Sequence, residues 1–359
     1  MVGEKSAVSR GRRRGIWIAA ALAAVIVALV VYRLRTTGFE WGVFFSTFVN
    51  VDWWWLSASF VLILLTYLGR ALRWEVMLRP LKPKPSLWNV TSATVIGFTA
   101  ILLLGRAGEI VRPYLISVKE RVPFSSQMAA WFLERIFDLL LVLMIFGIAL
   151  ARMPAGLHVG TALQWVLRTG GYFIASLGAL CILLLVVFRN FAGPAQRRIL
   201  AAVRFLPDKF YSRVDKILKA FVEGMECTRD RRSLGLLVIY TFFEWVIIVG
   251  GYYCMFRAIP ATSSFGLNDV MIFLGFVAFG SVVQLPGIGG GVQVASVLVL
   301  TEIFGISLES ATGIAILIWL LSWVLVVPFG LAFAFHEGIN WKKISHLSED
   351  VASDVAPPL

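Results

Sequence analysis

Two groups of charged residues stand in stretches of sequence where charge is most expensive. Arg106, Glu109 and Arg112 lie at i, i+3 and i+6 in the run GRAGEIVRP (Gly105 to Pro113), and Glu134, Arg135 and Asp138 interrupt the apolar run 128–150. On insertion scales a charge at the centre of a membrane helix costs about 2.5 to 3.5 kcal/mol, so such groups turn towards the protein interior and pair. One glutamate cannot neutralise both arginines of the first group. The surplus positive charge, beside the free amides of a helix start, suits a phosphate or another anionic head group. The competing reading is that the arginines snorkel to the cytoplasmic surface or pair with acids on other helices. In the second group Glu134 and Asp138 share a helix face, with Arg135 within a turn of Asp138. Asp138 lies about 15 Å along the helix axis from Met128. These residues form either a buried ion-pair cluster that orients helices, with Arg112 or Arg106 as partner, or a protonatable carboxylate that couples proton movement to transport.

A third group carries no charge. Gln284 and Gln293 flank Pro286, Gly287, Gly289, Gly290 and Gly291. No Lys-Ser/Thr follows these glycines and no strand or downstream acid frames them as a dinucleotide site, so a nucleotide loop is rejected. The glycines permit a turn at membrane depth and offer backbone amides to a ligand, although close helix packing uses the same small residues. Glu244 and Glu302 are two further acids in apolar runs. The three cysteines and three histidines have no ligand-like spacing. Neither a disulfide framework nor a metal site is signalled, and no cofactor is expected.

The elements that must position these groups follow from composition and charge. Of 359 residues 59% are hydrophobic and 15% charged, against about 25% charged in an average soluble domain. With a mean hydropathy of +0.83, the apolar surface exceeds what one core hides, and the solvent for the rest is lipid. The net charge is +12. Its basic residues crowd into loops, as expected of cytoplasmic loops in a membrane protein, and not along a surface built for nucleic acid.

Hydropathy predicts spans at 16–33, 53–69, 128–150, 171–188, 234–256 and 311–335. The basic loops after residue 69 and at 189–232 mark the cytoplasmic side. Parity then requires two further hydrophobic segments, 87–118 and 270–304, to return to the side they came from. Their breaks fall at Gly105 to Gly108 and at the glycines after Pro286, where non-helical backbone is tolerated only if buried in protein or lining a wet cavity. The expected fold is therefore an all-α polytopic membrane protein with six full spans and two opposed re-entrant helical hairpins. Residues 1–153 and 154–341 form an inverted repeat, and 342–359 is a cytoplasmic tail like the N-terminus. Inverted repeats with broken helices point to a binding site near the midplane. In the loop 189–232, apolar residues at helical spacing from Phe210 to Met225 alternate with lysine and arginine. This is an amphipathic helix suited to an anionic leaflet or to a partner protein.

Four motifs, in this order, carry a resemblance: GRALRW at Gly69 to Trp74, GRAGEIVRP at Gly105 to Pro113, ERIFDLL at Glu134 to Leu140 and PGIGGGVQ at Pro286 to Gln293. Together they resemble the lysylphosphatidylglycerol synthase transmembrane-region, or flippase-like, family over nearly the whole chain. The resemblance implies a multi-pass protein of a bacterial or archaeal cytoplasmic membrane that moves lipids or lipid-linked saccharides between leaflets. In members that make lysyl-lipid a cytoplasmic synthase domain follows, and about 20 residues follow the last span here, so that activity is not expected. The family's glycine loop commonly leads into a glutamate, where this chain has Gln293. The expected function is movement of an anionic lipid or polyprenyl-phosphate-linked saccharide. The alternatives are a non-catalytic membrane partner of a glycosyltransferase or lipid-modifying enzyme, a membrane-embedded transferase relying on Glu134 or Asp138, and a carrier of small solutes.

Overall fold

In a computed structural model of the chain, residues 38–152, 161–188, 230–281, 284–285 and 289–338 are described. The expected span 16–33, most of the loop 189–232, Pro286, Gly287 and the tail 342–359 lie outside them.

The described chain is helical apart from one small ladder. A short helix α1 (Trp41–Val49) precedes α2 (Trp53–Leu78), whose start is capped by Asp52 accepting from the amides of Trp54 and Trp55. Helix α3 (Leu87–Leu104) starts at the Ser86 cap and leads through a 3-10 turn (Gly105–Ile110) into α4 (Val111–Glu120). Then come α5 (Phe124–Ala151), α6 (Thr161–Phe188) and α7 (Arg231–Ala258), the last capped by Asp230. Helices α8 (Leu267–Gly280) and α9 (Gly291–Glu302) are joined through β1 (Gln284–Leu285) and β2 (Gly289–Gly290), which pair antiparallel. Helix α10 (Leu308–His336) closes the described chain.

Among the described residues, four segments are long and apolar enough to cross a membrane: Trp53–Leu78, Leu87–Glu120, Arg232–Ala258 and Leu308–His336. Helix α5 is 28 residues long but carries Glu134, Arg135 and Asp138 at its centre. Several boundaries differ from expectation. Helix α2 runs to Leu78 beyond the expected end at 69, α6 begins at Thr161 and not 171, and α1 was not expected. The extension of α2 has a specific cause, because the arginines that seemed to end the span are held inside the protein.

Leu87–Glu120 is not one straight rod. The chain leaves α3 through Gly105, whose φ of 65° is a conformation that glycine adopts without strain. Helix α4 then runs back along α3. Near its end Glu120 accepts from the Asn89 side chain at 2.8 Å and the Ser86 amide at 3.3 Å, and further in Gly97 lies against Arg112. A Cβ on Gly108 would stand 2.3 Å from the carbonyl carbon of Ala100, so the closeness of the two legs requires glycine there. The segment Leu267–Glu302 doubles back in the same manner, with the rings of Phe265 and Phe304 4.6 Å apart across its open end.

These two helical hairpins open at opposite ends of the bundle. The first opens where Lys82 meets Glu120 and Lys119 meets Glu337, and the second where Asn268 donates to the Ala149 carbonyl. Their closed ends touch: β1 packs on the 3-10 turn, and Arg106 Nη2 donates to the Ser281 carbonyl at 3.0 Å. Each end of the bundle has its own apolar core. One gathers Trp74, Leu78, Val90, Ile116 and Leu237, and the other Phe256, Ile272, Phe273, Leu300 and Ile314. The candidate site lies between them.

Candidate functional site

The centre of the site is Glu134, on the face of α5 that meets α2 and α4, and it is fully buried. Its Oε1 accepts from Arg73 Nη2 at 2.5 Å and from Arg112 Nη1 at 3.3 Å, and its Oε2 accepts from Trp74 Nε1 at 2.8 Å and from Arg112 Nη2. One turn on, Asp138 takes the other side of the Arg73 guanidinium, with Nη1 at 2.7 Å and Nη2 at 3.2 Å. Arg73 also donates to Thr241 Oγ1 and lies 3.3 Å from Glu244, both on α7. Arg70, one turn before it on α2, pairs with Glu244 at 3.0 Å. Aromatic faces complete the cage: Arg112 lies 4.5 Å from the centre of the Trp74 ring, and Arg70 is at the same distance from that of Phe98. A desolvated guanidinium gains from such a face because the ring carries negative charge above its plane.

This arrangement separates the expected site residues by job. Arg112, Glu134 and Asp138 are brought together, and Arg112 is committed to Glu134 at 4% exposure. It is a structural partner that fixes α4 to α5, not a free cation. Arg106 does not reach that cluster. It pairs with Glu109 at 2.7 Å at the tip of the first hairpin and remains half-exposed. Arg135 is also half-exposed and stands 3.7 and 3.8 Å from Glu134 and Asp138, too far for close hydrogen bonds.

Arg70, Arg106, Glu109, Arg135 and Asp138 line one side of a cavity of about 670 Å³, with Ser281 beside them. The remaining wall is largely apolar and includes Ile63, Ile248, Met255, Leu274 and Leu321. Around the cavity and the cage behind it, Arg70, Arg73, Arg106, Arg112 and Arg135 face Glu109, Glu134, Asp138 and Glu244. Five cations against four anions leave one positive charge in excess among the described residues. The two most exposed of these cations, Arg106 and Arg135, open on the cavity.

From the second hairpin, Leu274, Val277, Ala278, Phe279, Ser281 and Val292 reach the cavity wall. Gly290 has a φ of 111° and its amide donates to Gln293 Oε1 at 2.7 Å, so Gln293 closes the start of α9. Gly290 pairs with Gln284 and Gly289 with Leu285 across the ladder, and Gly291 packs against Gly280. Gly290, Gly291 and Gln293 are not part of the cavity lining. Gly287 lies outside the described residues. Among the described residues no His, Cys, Asp and Glu group could hold a metal ion.

Sequence reasoning missed Arg70, Arg73 and Trp74, and gave Glu244 too little weight. Arg70 and Arg73 read as loop charges because hydropathy falls where they begin. The signal that could have placed them is their spacing: Arg70, Arg73 and Trp74 fall at i, i+3 and i+4, one helix face.

No solved structure matches this chain. Among curated proteins it is similar to the glycosyltransferase AglD of Haloferax volcanii, 25% identical over 255 residues, 66% of this chain. The chain spans only 40% of the length of that relative. The model of the lysylphosphatidylglycerol synthase transmembrane region matches residues 16–330. That range takes in the charged cage, both hairpins and the long apolar helices, and the chain is a multi-pass membrane protein belonging to the lysylphosphatidylglycerol synthase transmembrane-region family.

Proposed function

We propose that the protein carries an anionic lipid or polyprenyl-phosphate-linked saccharide between the leaflets of a bacterial cytoplasmic membrane. The observation that carries this reading is the cavity: arginines with charge to spare on one wall and apolar side chains on the rest, as an amphiphile requires. The phosphate would rest between Arg106 and Arg135 while the tail stays in lipid. In this reading the chain has six spans with both termini in the cytoplasm, and the two hairpins are re-entrant, meeting near the midplane. The basic loop 189–232 lies on the cytoplasmic leaflet. The protein acts as a transporter and not as an enzyme.

Purified full-length protein in liposomes is expected to accelerate movement of phosphatidylglycerol or a polyprenyl phosphate between leaflets. Arg106→Ala and Arg135→Ala should each slow it about tenfold, as expected for losing one charge-assisted contact, with little change in thermal stability because both side chains are half-exposed. If neither variant changes the rate for any anionic lipid tested, the reading fails. The topology has its own test. In a background lacking native cysteines, Lys84→Cys and Ser307→Cys should react with an impermeant maleimide from opposite sides, and Ala107→Cys should react poorly from both. Ordinary loop-like labelling at position 107 would overturn the re-entrant hairpin.

A second reading draws on the similarity to a glycosyltransferase: the protein holds a lipid substrate for such an enzyme and recruits it through the loop 189–232. Deleting that loop would then abolish function in cells while leaving lipid movement in liposomes intact.

A further inference from the structure

The charged lining of the cavity holds more negative charge than an anion site needs. Two carboxylates, Glu109 and Asp138, stand among the arginines Arg70, Arg106 and Arg135, and each repels any anion that enters. Glu134 and Glu244 balance arginines from sealed positions behind the wall, at 0% and 1% exposure. Glu109 and Asp138 are partly exposed, at 14% and 13%. Asp138 has a structural reason to be there, because it accepts from both Nη atoms of Arg73 and so ties α5 to α2. Glu109 ties no two helices: among the described residues its ion pair is with Arg106, three residues away at the same hairpin tip. Nor does the packing need it to satisfy Arg106, which is half-exposed and also donates to the Ser281 carbonyl at 3.0 Å.

The count of charges gives this carboxylate a role. Arg70 from α2, Arg106 and Glu109 from the 3-10 turn, and Arg135 and Asp138 from α5 are the charged groups of the lining, which leaves one net positive charge. The same excess remains when the sealed cage is included. Helices α7 to α10 add no charged side chain to the lining, and Tyr252 on α7 is its other titratable group. We propose that Glu109 sets the charge the cavity accepts: by holding the lining at a single positive charge, it favours a singly charged phosphodiester over a doubly charged phosphomonoester. The inference rests on the proposed anionic-lipid reading and adds to it a residue that selects by charge and not by contact. A diester phosphate makes the lining neutral. A monoester, whose second proton leaves near about pH 6, overshoots and leaves an unbalanced negative charge facing Glu109 and Asp138. Between largely apolar walls that charge is poorly screened, so one unit of imbalance is worth about tenfold in affinity.

The test titrates farnesyl phosphate and its methyl diester into the full-length protein in detergent at about pH 8 and about pH 5, either side of the monoester's second ionisation. At the higher pH the diester is expected to bind about tenfold more tightly. At the lower pH the monoester loses its second charge and should match the diester to within about twofold. The diester, singly charged throughout, reports any effect of pH on the protein itself. Glu109→Gln removes a repulsion that a dianion feels twice as strongly as a monoanion, so at the higher pH the two esters should bind alike, neither more weakly than to the parent. Glu109→Asp keeps the charge and should keep the discrimination. If Glu109 only orients Arg106, Glu109→Gln weakens both esters by one factor and their ratio stands, which overturns the proposal and leaves the anion site in place. Equal binding of the two esters to the parent at the higher pH overturns it as well. If Glu109→Gln does not fold, the parent's two pH values decide alone. If neither ester binds the parent at either pH, the anionic-lipid reading itself falls, and the proposal with it.

Discussion

Glu134→Ala is expected to destabilise the protein by about 3 to 5 kcal/mol, the cost of removing one partner from a buried ion pair. The carboxylate accepts from Arg73, Arg112 and Trp74 at once, and each of these is nearly or wholly buried. Without it, Arg112 keeps no other carboxylate within ion-pair distance among the described residues, and its charge is left in an apolar interior against the Trp74 and Phe98 rings. Asp138→Asn should cost less. Arg73 then retains Glu134 and Glu244, and Asp138 is itself partly exposed to the cavity. Unfolding of the solubilised protein, followed by tryptophan fluorescence, measures both. A Glu134→Ala variant within about 1 kcal/mol of the parent, the size of an ordinary substitution, would mean that the cage is not what holds these helices together.

The second large effect is expected at Gly108. An alanine there puts its Cβ 2.3 Å from the carbonyl carbon and oxygen of Ala100. Those are backbone atoms, and no rotamer change relieves the overlap. The return leg α4 must move off α3, and Arg112 moves with it out of reach of Glu134. Overpacking of this kind typically costs about 1 to 3 kcal/mol. Here the loss of the Arg112 pair adds to it, so Gly108→Ala should melt earlier and lose lipid movement more than tenfold, beyond the loss of one charge-assisted contact. Gly170→Ala is the control, since a Cβ there meets nothing within 4 Å. Equal behaviour of the two variants would show that the legs of the first hairpin need not lie so close.

Both effects follow from one economy of charge. The arginines that hold the helices together are buried against carboxylates, whereas Arg106 and Arg135 are half-exposed at the cavity. A bundle with every arginine paired this tightly would have no charge to offer an anion, and one with none paired would not tolerate them in lipid. The division between structural and available cations is therefore a property of the packing.

Much of this could be read from the chain itself. Low charge and long apolar runs determine that lipid is the solvent, because no single core could bury so much apolar surface. The acids and arginines of α5 and α4 stand out because charge is costly exactly there, and the glycines of both breaks stand out because helix interiors seldom keep them. Hydropathy failed at Arg70 and Arg73, since a local average cannot know that Glu134, Asp138 and Glu244 wait on other helices to receive them. Nor could it tell Arg112 from Arg106, two arginines six residues apart in one motif, one sealed against Glu134 and the other open to the cavity. Residue type and spacing determined that charges must sit inside the membrane; which of the buried ones are neutralised depends on ion pairs between residues 22 to 174 positions apart, from Arg112–Glu134 to Arg70–Glu244. Only the tertiary structure supplies those contacts, because ion pairing depends on distance in space and not along the chain.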